Sequence, residues 1–106
     1  VRRLVESYRR CADKYFNTGE RLAGLIQIGR VDEEDVNNEL GPLLVDMTRQ
    51  IPQVYGIADD VSGDYGFVER TKLGTNDFEQ ILIVVENHLE PGEYRDLGLA
   101  IGRFRR

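Results

Sequence analysis

Apolar residues return every three or four positions through Val36, Leu40, Leu43, Leu44, Met47, Ile51 and Val54, and the phase survives both Pro42 and Pro52. An α-helix repeats every ~3.6 residues, so such a stripe lines one face that must be buried against something. The same spacing recurs along most of the chain. It predicts an all-α fold: about four helices in a small bundle, with an irregular or short extended segment at 59–75.

A chain of 106 residues is about one domain, so residues 1–106 read as a single helical unit. That length exceeds the roughly 70–80 residues below which a metal or disulfides usually have to supplement the core. Hydrophobic and charged fractions of 41% and 31% are ordinary for a globular chain and argue against disorder. The longest unbroken apolar run, Ile81–Val85, falls far short of the about 20 residues a bilayer-spanning helix needs. The chain begins at Val1 and not at Met, which leaves open that it is a fragment of a longer one.

Start and stop signals divide the stripe into elements. From Arg2 to about Ile28, the apolar positions are Leu4, Val5, Tyr8, Cys11, Ala12, Tyr15, Leu22, Ala23 and Ile26, with Phe16 beside the stripe and Gly29 as a stop. Glycine costs about 1 kcal/mol relative to alanine inside a helix. Even so, Tyr15, Gly19, Leu22 and Ile26 stay in phase, so one continuous helix is expected. Asp32 reads as the next N-cap, and Glu33, Glu34 and Asp35 answer the positive end of the helix dipole. Gly41-Pro42 reads as a restart with proline in the first turn. An interior proline removes a hydrogen bond at a cost of about 3 kcal/mol, so Ile51-Pro52 is expected to end or bend that helix near Gln50.

Between Asp59 and Thr75, glycine, aspartate and serine interrupt the pattern, while Tyr65, Phe67, Glu69, Thr71 and Leu73 alternate. The segment reads as an ordered loop with extended character. Asn76 and Glu79 make a capping-box pattern before a helix whose buried face is Phe78, Ile81, Leu82, Val85 and Leu89, widened by Val84. Pro91-Gly92 ends that helix, and a last one from about Glu93 to Phe104 puts Tyr94, Leu97, Ile101 and Phe104 on one side.

Little in the sequence points to bond-making chemistry. Cys11 is alone on an apolar stripe, which reads as a small buried hydrophobe. A single cysteine also favours a reducing, cytoplasmic setting. His88 is the one histidine. A phosphotransfer domain would need an exposed imidazole with a small residue one turn on and a cation nearby, whereas Leu89, Glu90 and Pro91 follow His88. Zinc sites use clustered Cys and His, and this chain has one of each, far apart. Asp60, Ser62 and Asp64 have the alternating spacing of a calcium loop, but Tyr65 and Thr71 stand where that loop needs glycine and glutamate. No serine nucleophile elbow and no phosphate-cradling glycine run occurs. No cofactor or metal is expected.

Charge is the more informative signal. The net charge is −5, yet residues 1–30 carry seven basic and three acidic side chains, and residues 31–70 carry ten acids and two arginines. Arg2, Arg3, Arg9 and Arg10 crowd one end, and Arg103, Arg105 and Arg106 the other. Such polarity suits electrostatic pairing with another protein or with a second copy of the chain. Tyr8, Tyr15, Phe16, Tyr55, Tyr65, Phe67, Tyr94 and Phe104 also exceed what one small core must hide. The leading expectation is therefore a non-catalytic interaction or regulatory module, self-associating or binding a partner through those seven arginines. The first alternative is a nucleic-acid binder using the same arginine-rich ends, although the Asn76–Leu89 helix has no Lys or Arg to serve as a reading helix. A small enzyme or phosphotransfer domain built on His88 is the second alternative.

Overall fold

The computed structural model describes residues 1–105 and shows a small all-α bundle. Four helices build it: α1 (Arg2–Gln27), α3 (Gly41–Asp64), α4 (Glu79–Glu86) and α5 (Pro91–Gly102). A single turn, α2 (Glu33–Asp35), and a π-helical turn, Val36–Leu40, lead into α3. Among the described residues there is no sheet. One isolated parallel bridge joins Leu73 to Arg105.

Helices α1 and α3 pack antiparallel: Arg9 meets Asp59, Asp13 meets Tyr55, and Gly19 faces Met47. Small residues allow the close approach. A Cβ at Gly19 would collide with the Met47 sulfur, and Ala12 and Ala23 are buried on the same side of α1. Phe16 is fully buried and touches the rings of Tyr55 and Phe78, with centroids 5.7 and 5.9 Å away. Helix α4 lies across both long helices, and α5 closes the far end through Leu97, Ile101 and Phe104.

The one-helix reading of residues 2–28 holds, and Asp32 does cap α2, its carboxylate accepting the Glu34 N–H at 2.9 Å. Helix α3 begins at Gly41 with Pro42 in its first turn, as expected. The chain enters α3 directly from the π-helical turn, whose extra residue sends the Gly41 N–H to the Val36 carbonyl. Gly41 lies flat against the His88 ring, where any side chain would collide.

Several expectations are corrected. Pro52 does not end α3; the helix runs through it to Asp64. Ile51 and Tyr55 on either side are fully buried, so packing holds the segment despite the missing N–H. Residues 59–64 are consequently helix and not loop. Ala58 and Ser62 are buried, and Asp59 bonds to Arg9 of α1, which outweighs the turn-forming composition. The extended segment shrinks to the contact at Leu73, whose N–H donates to the Phe104 carbonyl at 2.7 Å. The final helix starts at Pro91, two residues earlier than expected, and ends at Gly102.

The capping box at Asn76 and Glu79 does not form. Helix α4 follows Phe78, which adopts a left-handed conformation at φ 66°. Its N-terminus is capped from another helix: the Glu20 carboxylate accepts the N–H groups of Gln80 (3.2 Å) and Ile81 (2.7 Å). A carboxylate there satisfies two otherwise orphaned donors and faces the positive end of the dipole. Packing also turns Phe78 inward, at 4% exposure.

The face of α4 separates two substitutions by depth. Ile81 is fully buried, whereas Leu82 is only partly so. Ile81→Ala is expected to cost about 2–5 kcal/mol, and Ile81→Asp to abolish the cooperative thermal transition. Leu82→Asp should keep a transition at reduced Tm. Circular-dichroism melts of the three variants check this.

Candidate partner interface

A polar cluster helps to fix the register of α1 against α3, together with the Tyr55–Asp13 hydrogen bond and the Gly19–Met47 contact. Asp59 Oδ1 accepts from Arg9 Nη2 (2.7 Å), from the Thr71 N–H (2.8 Å) and from the Thr71 hydroxyl (2.8 Å). Arg9 Nε donates back to the same Thr71 oxygen at 3.2 Å. The cluster ties α1, α3 and the 65–78 segment together, and both charged side chains are mostly hidden, 17% and 13% exposed. Burial alone pushes the Asp59 carboxyl up. The two Thr71 bonds and the Arg9 guanidinium outweigh that and hold it below the ordinary value of 3.8. Nearby, burial and the Asp13 carboxylate that accepts its hydroxyl push Tyr55 well above the usual phenol range.

With Arg9 turned inward, the rotation of α1 is set, and it corrects the sequence reading of this helix. The buried line is Val5, Ala12, Phe16, Gly19 and Ala23. The stripe Leu4, Tyr8, Cys11 and Tyr15 faces solvent, Leu4 at 73% and Tyr15 at 46% exposure. Cys11 is thus an exposed thiol, not a core residue, and Phe16 is core. Helix α1 carries two apolar lines, and the core takes the one with the smaller residues because two other helices must approach it closely.

Alongside the exposed line runs a matching one on α3, in which Leu43 and Ile57 are exposed and Val54 and Val61 partly so. Between them Leu4, Val5, Tyr8, Ile57, Ala58 and Val61 line an open groove of about 150 Å³. Its two banks differ in charge. Arg3, Arg10, Lys14 and Arg21 stand exposed on the α1 side; Asp46, Asp60 and Asp64 stand exposed on the α3 side, where the one exposed cation among the described residues, Arg49, is paired with Glu93 of α5 at 3.2 Å. The sequence reading missed Lys14, Arg21, Leu43 and Ile57 as surface. The spacing of 4, 8, 11 and 15 on α1 and of 43, 54, 57 and 61 on α3 was the available signal for the apolar lines.

The seven arginines are not equivalent. Arg2 is engaged within the chain, pairing with Glu69 (2.6 Å) and lying over the Phe67 ring. Arg9 is in the Asp59 cluster. Arg10 donates to Ser7 Oγ at 3.3 Å and stays exposed, as do Arg3 and Arg103. Arg105 donates to the Asp77 carbonyl at 3.0 Å, and its buried Nε has no partner among the described residues. Arg106 lies outside the described residues. Arg9 and Arg105 both attach to the 65–78 segment, through Glu69 and Thr71 and through Leu73 and Asp77 respectively.

His88 borders a separate open depression of about 390 Å³ with Glu33, Asn37 and Asn87 on its wall. One carboxylate lines it, so paired acids do not converge on the imidazole. Among the described residues, no group of three or more His, Cys, Asp or Glu could hold a metal ion, and no helix is long and apolar enough to cross a membrane. No family model, curated protein or solved structure matches this chain.

The Asp59 cluster gives a pH dependence of known sign. A carboxyl held below its ordinary value contributes stability that is complete above that value and is lost as pH falls through the folded-state one. Tm should therefore drop as pH is lowered below about 3.8. Asp59→Asn should lower stability at neutral pH by about 1–3 kcal/mol, because the largely buried Arg9 guanidinium loses its counter-charge. It should also shrink the acid-limb drop, which melts across a pH series measure directly.

Proposed function

We propose that this chain is a non-catalytic protein-interaction or regulatory module that docks another polypeptide on its α1–α3 face. The observation carrying this reading is the double line of exposed apolar side chains, Leu4, Tyr8, Tyr15, Leu43 and Ile57, on two rigid helices. Contiguous apolar surface rimmed by charge marks interaction sites, whereas scattered exposed hydrophobics do not. A helix lying along such a pair of helices would bury its own stripe in the groove between them. The exposed thiol of Cys11 suits a reducing, cytoplasmic setting.

The nucleic-acid reading draws on a narrower observation, the exposed ridge of Arg3, Arg10, Lys14 and Arg21 along α1. Phosphate contacts there would be strongly salt-dependent. The apolar groove beside the ridge has no role in that reading, which is why the protein partner ranks first.

Ile57 is exposed, so Ile57→Glu should change stability by no more than about 0.5 kcal/mol. It should nevertheless remove the proteins, this chain included, that the wild type retains in affinity capture read by quantitative mass spectrometry. Equal retention by both, or retention of nothing by the wild type, overturns the reading. Duplex and single-stranded nucleic acid titrated at two salt concentrations should show no binding that Arg10→Ala removes; salt-sensitive binding lost on Arg10→Ala would favour the ridge instead.

A further inference from the structure

We infer that the occupant of the α1–α3 face is a second copy of this chain, related by a two-fold axis parallel to the helices, with α1 of one copy on α3 of the other. This rests on the docking reading above and names its partner.

The charge of the two banks selects the arrangement. Two such helix pairs can stack face to face about a two-fold axis lying in the plane between them. An axis perpendicular to the helices sets α1 on α1, bringing Arg10, Lys14 and Arg21 against their own copies and Asp46 and Asp60 against theirs. Like charges across an interface suppress pairing. An axis parallel to the helices sets each basic bank on an acidic one.

Level along the axis matches as well. Within one copy, Arg9 stands opposite Asp59, Asp13 opposite Tyr55 and Gly19 opposite Met47. Arg21 is therefore level with Asp46, and Arg3 with Asp64. Rotation about an axis along the helices preserves these levels, so Arg21 meets Asp46 of the second copy and Arg3 approaches its Asp64, each twice over. The contact is isologous and closes as a dimer.

The size is adequate. Helices of 26 and 24 residues, α1 and α3, run side by side. At ~1.5 Å per residue and about 10 Å between axes, they present a face of the order of 700 Å². A standard interface takes about 800 Å² from each partner. Exposed Leu4, Tyr8, Tyr15, Leu43 and Ile57 would supply its apolar centre.

Charge exchange tests the geometry. The wild type is measured by sedimentation equilibrium from micromolar to near-millimolar concentration, beside Arg21→Glu, Asp46→Arg and their equimolar mixture. The wild type should reach the dimer mass. Each single variant should weaken association by about tenfold or more, since each sets like charges together. The mixture should recover it. There the carboxylate introduced at position 21 of one variant faces the guanidinium introduced at position 46 of the other, and the remaining native Asp46 faces the remaining native Arg21. Both positions are exposed, and unchanged circular-dichroism melts in dilute solution establish that each variant is folded; Arg21→Gln and Asp46→Asn serve if either is not, and should weaken association to a lesser degree. A wild type monomeric throughout, variants that associate like the wild type, or a mixture that fails to recover each overturns the inference. A monomeric wild type that still retains proteins lost on Ile57→Glu removes self-pairing alone; a monomer that retains nothing removes the docking reading with it.

Discussion

Close approach of α1 to two neighbours at once is the constraint on which the rest of the bundle depends. Ala12, Gly19 and Ala23 are small enough to let α3 and α4 both reach its backbone, and Phe16 fills the space between them. Gly19 is unfavourable for helix formation by itself. It is kept in mid-helix where the Met47 sulfur and the Ile81 side chain occupy the volume a Cβ would need. Once that line is buried, the Leu4–Tyr8–Tyr15 line cannot also be buried against this chain. The exposed apolar face is thus a consequence of how the core is made.

Polar groups then add to the register that apolar packing sets. The Gly19–Met47 contact already resists a slide of α1 along α3, and a buried charge adds the requirement that it meet its partner. Arg9, Asp59 and Thr71 meet at one end of the α1–α3 pair, and Glu20 meets the start of α4 at the other. Each joins elements far apart in sequence. Each also removes an unsatisfied group: Asp59 is the acceptor for the Thr71 N–H, and Glu20 serves two N–H groups that α4 cannot serve itself.

How far the sequence discloses this follows from where each signal resides. Helical class, the continuity of α1 across Gly19 and the Asp32 cap were legible, because periodicity and local capping are properties of neighbouring residues. The passage of α3 through Pro52 and on to Asp64 was not, since burial of Ile51, Tyr55, Ala58 and Ser62 by other helices overrides the local preference. The Asn76–Glu79 box was a sound local pattern superseded by Glu20, a residue about 60 positions away. Of the candidate face, the Leu4–Tyr15 stripe was visible and was assigned to the core. With two apolar lines on one helix, spacing cannot say which is buried; only the shape of the neighbours can.

The same register that holds the core together sets the surface pattern. Successive residues of an α-helix are turned by about 100° and raised by ~1.5 Å. A slip of one residue between α1 and α3 would therefore move Arg9 off Asp59 and shift Arg21 relative to Asp46 together. Arg2 and Arg9 are committed inside the chain, which leaves Arg3, Arg10, Lys14 and Arg21 as the basic bank and keeps its charges at defined levels. Those bank residues contribute little to the core and can change without unfolding it. Changes in the buried Arg9–Asp59–Thr71 cluster cost stability instead. The exposed charges are thus exchangeable, and their spacing is held by the buried groups that set the helix register.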